Sequence, residues 1–154
     1  MALDDIIRPD AIVPSLRAAT KKQALLDLSE KAATLTGLPA RAIFDTLIQR
    51  ERLGSTGIGE GIAIPHGKLA RCEAIFGLFA RMERPIPFES LDDTPVDLIF
   101  LLLAPETAGA DHLNALSRVA RALRDPAIVT ALRSARDASA IYSVLVNLPT
   151  PHAA

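Results

Sequence analysis

Apolar residues recur along this chain with two different periods. After Thr20, residues Ala24, Leu25, Leu28, Ala32 and Leu35 return every three or four positions and lay one stripe along a helix. Thr20 followed by Gln23 has the form of a capping box, and Gly37 supplies the stop. Pro39 suits the first turn of a second helix, which carries Ile43, Leu47 and Ile48 inward and brings Arg50 to its end. Three further helices follow late in the chain. Asp111 is expected to cap an amphipathic helix over Leu113 to Arg124, Asp125-Pro126 opens a short one through Arg133, and Asp137 caps a last one carrying Ile141, Val144 and Leu145.

Elsewhere the pattern is that of strands. Val96 to Ala104 is apolar without a break from Leu98 onward, the mark of a strand buried on both faces. Ala74 to Met82 is apolar apart from Gly77 and Arg81, and Ile62 to Ile64 reads as a short strand ending at Pro65. Ala11 to Leu16 is strand-like, with Pro14 assigning it to a sheet edge. Leu3 to Ile7 fits one helical turn, Glu83 to Thr94 an irregular segment covering a neighbouring site, and Pro149 to Ala154 a loose tail. Strands among helices, with no repeat or low-complexity linker, give one α/β domain over residues 1–147. A mixed sheet is flanked by helices on both faces, and 148–154 is a flexible C-terminal tail.

Composition narrows the function. The 154 residues carry a net charge of −1 and only 4% aromatics, with no Trp, which argues against nucleic acid and base stacking. The single Cys72 rules out an internal disulfide and fits a reducing compartment. Asp4 and Asp5 stand where a signal peptide would be basic, and Leu98 to Ala104 is too short to cross a bilayer. A cytoplasmic protein without membrane insertion is expected.

Four of the eight glycines fall between Gly54 and Gly61, with Gly67 just beyond, and His66 is set between Pro65 and Gly67. Such a loop lets a ligand approach the main chain and can aim several N–H groups at an anion. His66 has two readings, a loop histidine bonded to nearby backbone or a functional imidazole. His112 lies in the first turn of its helix on the stripe of Leu116, Val119 and Leu123, so its ring should face inward. The positive helix terminus there favours a neutral ring able to donate to a phosphate oxygen, although a satisfied half-buried histidine is the plainer reading. His152, in the tail, reads as solvated and inert. No HExxH or cysteine pair completes a metal site, no GxSxG elbow accompanies Ser55, and the loop lacks Walker A spacing. Neither metal nor cofactor is expected.

The segments Gly54-Ser55-Thr56-Gly57-Ile58-Gly59 and Gly61-Ile62-Ala63-Ile64-Pro65-His66-Gly67 closely resemble the signature of IIA components of the bacterial phosphoenolpyruvate-dependent phosphotransferase system, in the fructose/mannitol and nitrogen-regulatory superfamily. Arg50-Glu51 and Asp111-His112-Leu113 also look like that pattern, and Lys68-Leu69 is most like the nitrogen-regulatory branch. The resemblance runs to about residue 147. It implies that His66 is the phosphorylated histidine, His112 the second active-site histidine and Arg50 the nearby cation. It also implies an HPr-like phosphohistidine carrier as donor, and regulated partners such as sensor kinases or potassium-transport components.

The residue chemistry is compatible with this. A neutral imidazole is an available nucleophile near neutral pH, and Arg50 offers a planar fork to phosphoryl oxygens. Its plainer role is a helix-end cation balancing the dipole. Ser55, Thr56 and main-chain N–H groups near Gly57 and Gly67 are candidate phosphate donors. Ile58, Ile62 and Phe88 are candidates for a docking rim. Two alternatives stand beside the nitrogen-regulatory reading: a sugar-specific IIA passing phosphate to a IIB domain, and a regulatory module that binds partners without turning over phosphate.

Overall fold

Every residue from Leu98 to Ala104 is fully shielded from solvent, and the architecture follows from covering that strand on both faces and both edges. The structure is a computed structural model that describes residues 3–147. A 3-10 turn at Leu3–Asp5 leads into strand β1 (Ile7–Leu16), helices α1 (Lys21–Thr36) and α2 (Ala40–Arg52), and strands β2 (Gly57–Gly59), β3 (Ile62–Ala63), β4 (His66–Leu69), β5 (Phe76–Ile86) and β6 (Val96–Pro105). Helices α3 (Ala110–Ala122), α4 (Pro126–Ser134) and α5 (Ala138–Val146) follow.

The six strands form one mixed sheet in the order β1-β5-β6-β3-β2, with β4 also paired to β6. β5 is antiparallel to β6 and parallel to β1. On the other edge of β6, β3 and β4 run parallel to it in one continuous register, Ile62 opposite Leu98, Ala63 opposite Ile99 and His66 opposite Leu102. They are therefore one strand interrupted at Ile64-Pro65, where proline has no N–H to give the ladder. The mixed sheet flanked by helices matches the fold class read from the sequence. Helix α1 packs on α2, which lies against β4, while α5 packs on β1 and α4.

Local chemistry explains most of the boundaries. Thr20 Oγ1 accepts from the Gln23 N–H at 3.1 Å, but the Gln23 side chain turns to Asp27, so only half of the capping box forms. Gly37 ends α1 at φ 79°, and its N–H bonds to Ala33 O. Asp125 and Asp137 each accept a main-chain N–H at the starts of α4 and α5.

Several boundaries differ from the sequence reading. β1 begins at Ile7 and passes through Pro9, which an edge strand paired only with β5 tolerates. β5 continues past Glu83 to Ile86, because a register irregularity between Arg81 and Ile86 absorbs Pro85. His66 is not in a loop: it opens β4, held there by β6. Gly109, at φ 55°, is the N-cap of α3, and Asp111 lies one residue inside the helix. The turn after β6 requires a backbone conformation that glycine adopts and aspartate resists. The tail over 148–154, including His152, lies outside the described residues.

Gly67 sets the spacing between β4 and α2. A Cβ there would lie 2.5 Å from Thr46 Cγ2, so α2 seats directly on the bare backbone. Side chains alternate along a strand, so His66 projects from the opposite face. Gly67→Ala should cost about 1–3 kcal/mol in chemical denaturation. Thr46→Ala in the same chain should recover most of that loss; no recovery would mean that Gly67 is required for another reason.

Candidate active site

The two candidate histidines meet. His66 stands at the start of β4 and His112 in the first turn of α3, with ring centroids 5.7 Å apart and planes tilted by 59°. His66 is half-buried, whereas His112 is 7% exposed and its Nε2 has no hydrogen-bond partner. An unpartnered buried nitrogen is costly, and here it belongs to the ring beside His66.

The tautomer of His66 follows from its one backbone contact. Nδ1 lies 2.7 Å from the carbonyl oxygen of Ile64. A carbonyl can only accept, so Nδ1 carries the proton and Nε2 keeps its lone pair. Burial holds the His66 pKa below the usual imidazole value; the Ile64 bond opposes this, the Arg50 charge reinforces it and Glu51 opposes it. Burial also lowers His112, with smaller contributions from His66 and Lys68. Both rings are therefore held neutral at pH 7. Helix α3 has no side-chain cap at Gly109, which leaves its positive terminus open toward this region.

Arg50, in the last turn of α2, donates from Nη1 to Gly54 O at 2.8 Å and is half-buried. The other four residues proposed as phosphate donors are engaged as follows. Ser55 Oγ donates to Phe88 O at 2.7 Å and accepts from Gly57 N–H at 3.0 Å. Thr56, 4% exposed, gives its hydroxyl and its N–H to the Glu51 carboxylate. Gly67 lies in the ladder with Leu103 of β6 and against α2. His66, His112 and Arg50 are thus gathered, while the Ser55 and Thr56 hydroxyls fasten the loop.

Sequence reasoning missed the residues that fasten it most. The Glu51 side chain is only 5% exposed and meets Lys21 Nζ at 2.7 Å. Lys21 also stands over the Phe88 ring, 4.7 Å from its centre. The available signal was a misfit: a carboxylate in the last turn of a helix opposes the dipole and requires a partner. The expected docking rim changes as well. Ile62 and Phe88 are each 1% exposed and belong to the core, whereas Leu53, beside the glycine loop, and Leu113, next to His112, are 85% and 65% exposed. Among the described residues, no group of three His, Cys, Asp or Glu side chains is placed to hold a metal. No helix among them is long and apolar enough to cross a membrane.

The mixed sheet flanked by helices is the fold of a phosphotransferase-system IIA component. The chain belongs to the family described as phosphoenolpyruvate-dependent sugar phosphotransferase system, EIIA 2, whose sequence profile matches residues 5–148. It is 61% identical over 149 residues to a nitrogen regulatory protein of Bradyrhizobium diazoefficiens, covering 97% of both chains. It is 39% identical to the nitrogen regulatory protein of Escherichia coli K12, over 96% of this chain and 91% of that one. The crystal structure of nitrogen regulatory protein IIA-Ntr from Neisseria meningitidis superposes with a TM-score of 0.88 at 34% identity, covering 93% of this chain and 98% of that one. These relatives support the nitrogen-regulatory branch. Family membership carries a role in phosphotransfer within that system.

The lowered imidazole pKa values make stability depend on pH. Above the unfolded value of about 6.5 both states are neutral at these rings and the effect vanishes. As pH falls below it, the unfolded chain takes up protons that the folded rings resist, so stability drops until the lowered folded values are passed. Denaturation midpoints should therefore fall between pH 7.5 and 5, and His112→Asn should flatten that slope; an unchanged slope would show that the rings titrate normally.

Proposed function

We propose that His66 accepts a phosphoryl group on Nε2 from a phosphohistidine of an HPr-like carrier, and that its phosphorylation state governs which proteins this one binds. The single observation that supports this most is the Nδ1–Ile64 bond, which leaves Nε2 as the free lone pair of a ring 5.7 Å from that of His112. In the step, the His66 Nε2–P bond forms as the donor's N–P bond breaks. The donor ring leaves as neutral imidazole when its other nitrogen is already protonated. His66 keeps its Nδ1–H, and the Ile64 carbonyl stabilises the positive charge that develops on the ring.

The other residues act on the charge in flight. Phosphoryl transfer depends on positioning and on neutralising oxygens more than on covalent machinery. His112, neutral and lacking a partner at Nε2, donates that N–H to a phosphoryl oxygen, and the terminus of α3 adds its dipole. Arg50 uses one of its donors on Gly54 and turns the remainder of its fork to the phosphate. Ser55 and Thr56 serve by fixing the loop, and Gly57 and Gly67 by letting Ser90 and α2 come close. Leu53 and Leu113 form the apolar rim on which the carrier docks.

Carrying phosphate as a covalent intermediate, the protein acts as a phosphotransferase over residues 1–147, in the cytoplasm and without a cofactor. Phosphorylation adds about −1.5 to −2 charges to this rim, enough to admit one partner and repel another. Sensor kinases and potassium-transport components are the kinds of protein so regulated.

Incubation with the upstream kinase, carrier and phosphoenolpyruvate should place one acid-labile phosphate on the chain, on Nε2 by nitrogen NMR and absent in His66→Ala. Labelling that persists in His66→Ala, or maps to Nδ1, would refute the assignment. With His66 intact, His112→Ala and Arg50→Lys should each slow uptake by about 10–1000-fold. Rates within twofold of wild type would return those residues to structural roles.

A further inference from the structure

Behind the reacting imidazole runs an unbroken series of hydrogen bonds that ends on a buried ion pair. Lys21 Nζ meets Glu51 Oε1 at 2.7 Å. The same carboxylate oxygen accepts from the Thr56 N–H at 3.1 Å, and its partner oxygen accepts from the Thr56 hydroxyl. The Thr56 carbonyl in turn accepts from the Ile64 N–H at 3.0 Å. The Ile64 carbonyl accepts from Nδ1 of His66 at 2.7 Å. Each link joins a different segment: the first residue of α1, the last turn of α2, the loop before β2, and the break between β3 and β4.

We propose that Lys21 and Glu51 are positioning residues for the reaction, which hold the His66 ring in its Nδ1–H tautomer by clamping Thr56 and, through it, the Ile64 peptide. This rests on the reading of His66 Nε2 as the phosphoryl acceptor. The series acts by position. Electronic polarisation strengthens successive bonds by only about 10–30% each, too little to choose a tautomer two peptides away. Placement does choose: one ordinary hydrogen bond biases a two-tautomer equilibrium about fivefold, and the Ile64 carbonyl offers that bond only while its peptide is held.

Three features support a built device. Glu51 is almost fully enclosed, and a carboxylate so placed is costly unless it is paired and hydrogen-bonded. Lys21 is held a second time by Phe88, whose ring it covers and whose carbonyl lies 3.5 Å from Nζ. Arg50 and Glu51, adjacent in the chain, grip opposite ends of one segment: Arg50 takes the carbonyl of Gly54 and Glu51 takes Thr56. The loop is thus fixed at both ends by the last turn of α2. The Lys21 side chain is only 16% exposed, against 85% for Leu53 and 65% for Leu113.

The test uses the full chain carrying Glu51→Gln, Lys21→Met or Lys21→Arg, with histidine nitrogens labelled. In the unphosphorylated wild type, long-range nitrogen–proton correlations should give His66 a protonated Nδ1 and a bare Nε2. In Glu51→Gln and Lys21→Met the two nitrogen shifts should move toward each other. The maximal rate of phosphoryl uptake should fall about two- to fivefold, the range that a fivefold tautomer bias allows, while the carrier KM stays unchanged. Lys21→Arg should restore both. Glu51→Gln keeps the side chain's size and one acceptor; should it fail to fold, Lys21→Met leaves Glu51 in place and still decides the matter. Unmoved nitrogen shifts, with or without a slower rate, overturn the proposal, as do moved shifts at an unchanged rate. Failure of wild type to take phosphate on His66 would remove the proposed function and the proposed consequence for rate, while the tautomer measurement would still judge the clamp.

Discussion

The site depends on one constraint: β3 and β4 stay in register on β6 although Pro65 breaks the ladder between them. In a parallel pair, alternate residues of a strand bond to opposite neighbours. Gly61 and Pro65 turn their carbonyls to the N–H groups of Leu98 and Leu102. Ile64 has the opposite parity to both and must turn its groups the other way. Its N–H finds Thr56, while its carbonyl emerges where β2 no longer runs, and the His66 ring takes it. A single strand thus delivers the histidine and chooses its free nitrogen. Since β6 is enclosed on both faces, sliding this strand by one residue would send His66 to the α2 side and leave Gly67 facing His112.

Electrostatics at the pair is a balance of small opposed effects. Burial disfavours charge on both rings, and Arg50 adds to this at His66. The Ile64 carbonyl and Glu51 pull the other way, which would help His66 bear the positive charge that the proposed phosphorylation develops. A ring made neutral by burial alone would be available but a poor nucleophile. A ring stabilised by an exposed carboxylate would already be protonated. The structure uses a carbonyl in contact and a carboxylate at one remove, each of which supports developing charge without imposing it in advance.

What the sequence made legible follows the range of each force. β6 was legible because Leu98 to Ala104 is apolar whatever its neighbours, and the caps at Asp125 and Asp137 because they act within three residues. β4 was not, since His66-Gly67-Lys68-Leu69 has no strand pattern of its own and is extended only because β6 pairs with it. Pro85 hid the end of β5 and Pro9 the start of β1, where an edge position and a register irregularity excused them. Asp111 satisfied every local rule for a cap and lost to Gly109, because the approach from β6 required positive φ. His112 was legible as an inward ring, and its meeting with His66 only through the family resemblance. The pairing of Lys21 with Glu51 was not, since nothing in either local pattern names the other.

These same facts say how a domain with so rigid a site can signal. The loop is fastened at Gly54, Ser55 and Thr56, α2 sits on the bare backbone of Gly67, and β3–β4 is locked to β6. A core packed in this way does not deform by small degrees. The proposed phosphorylation of His66 would therefore change charge far more than shape. The proposed rim would combine the exposed Leu53 and Leu113 with two neutral imidazoles and Arg50, an apolar and weakly cationic face. The added phosphate charge would reverse its sign locally, and within a Debye length of about 8 Å a docked partner would experience that reversal directly. Discrimination would then lie with the partner's own charges opposite His66, and the domain itself would need no second conformation.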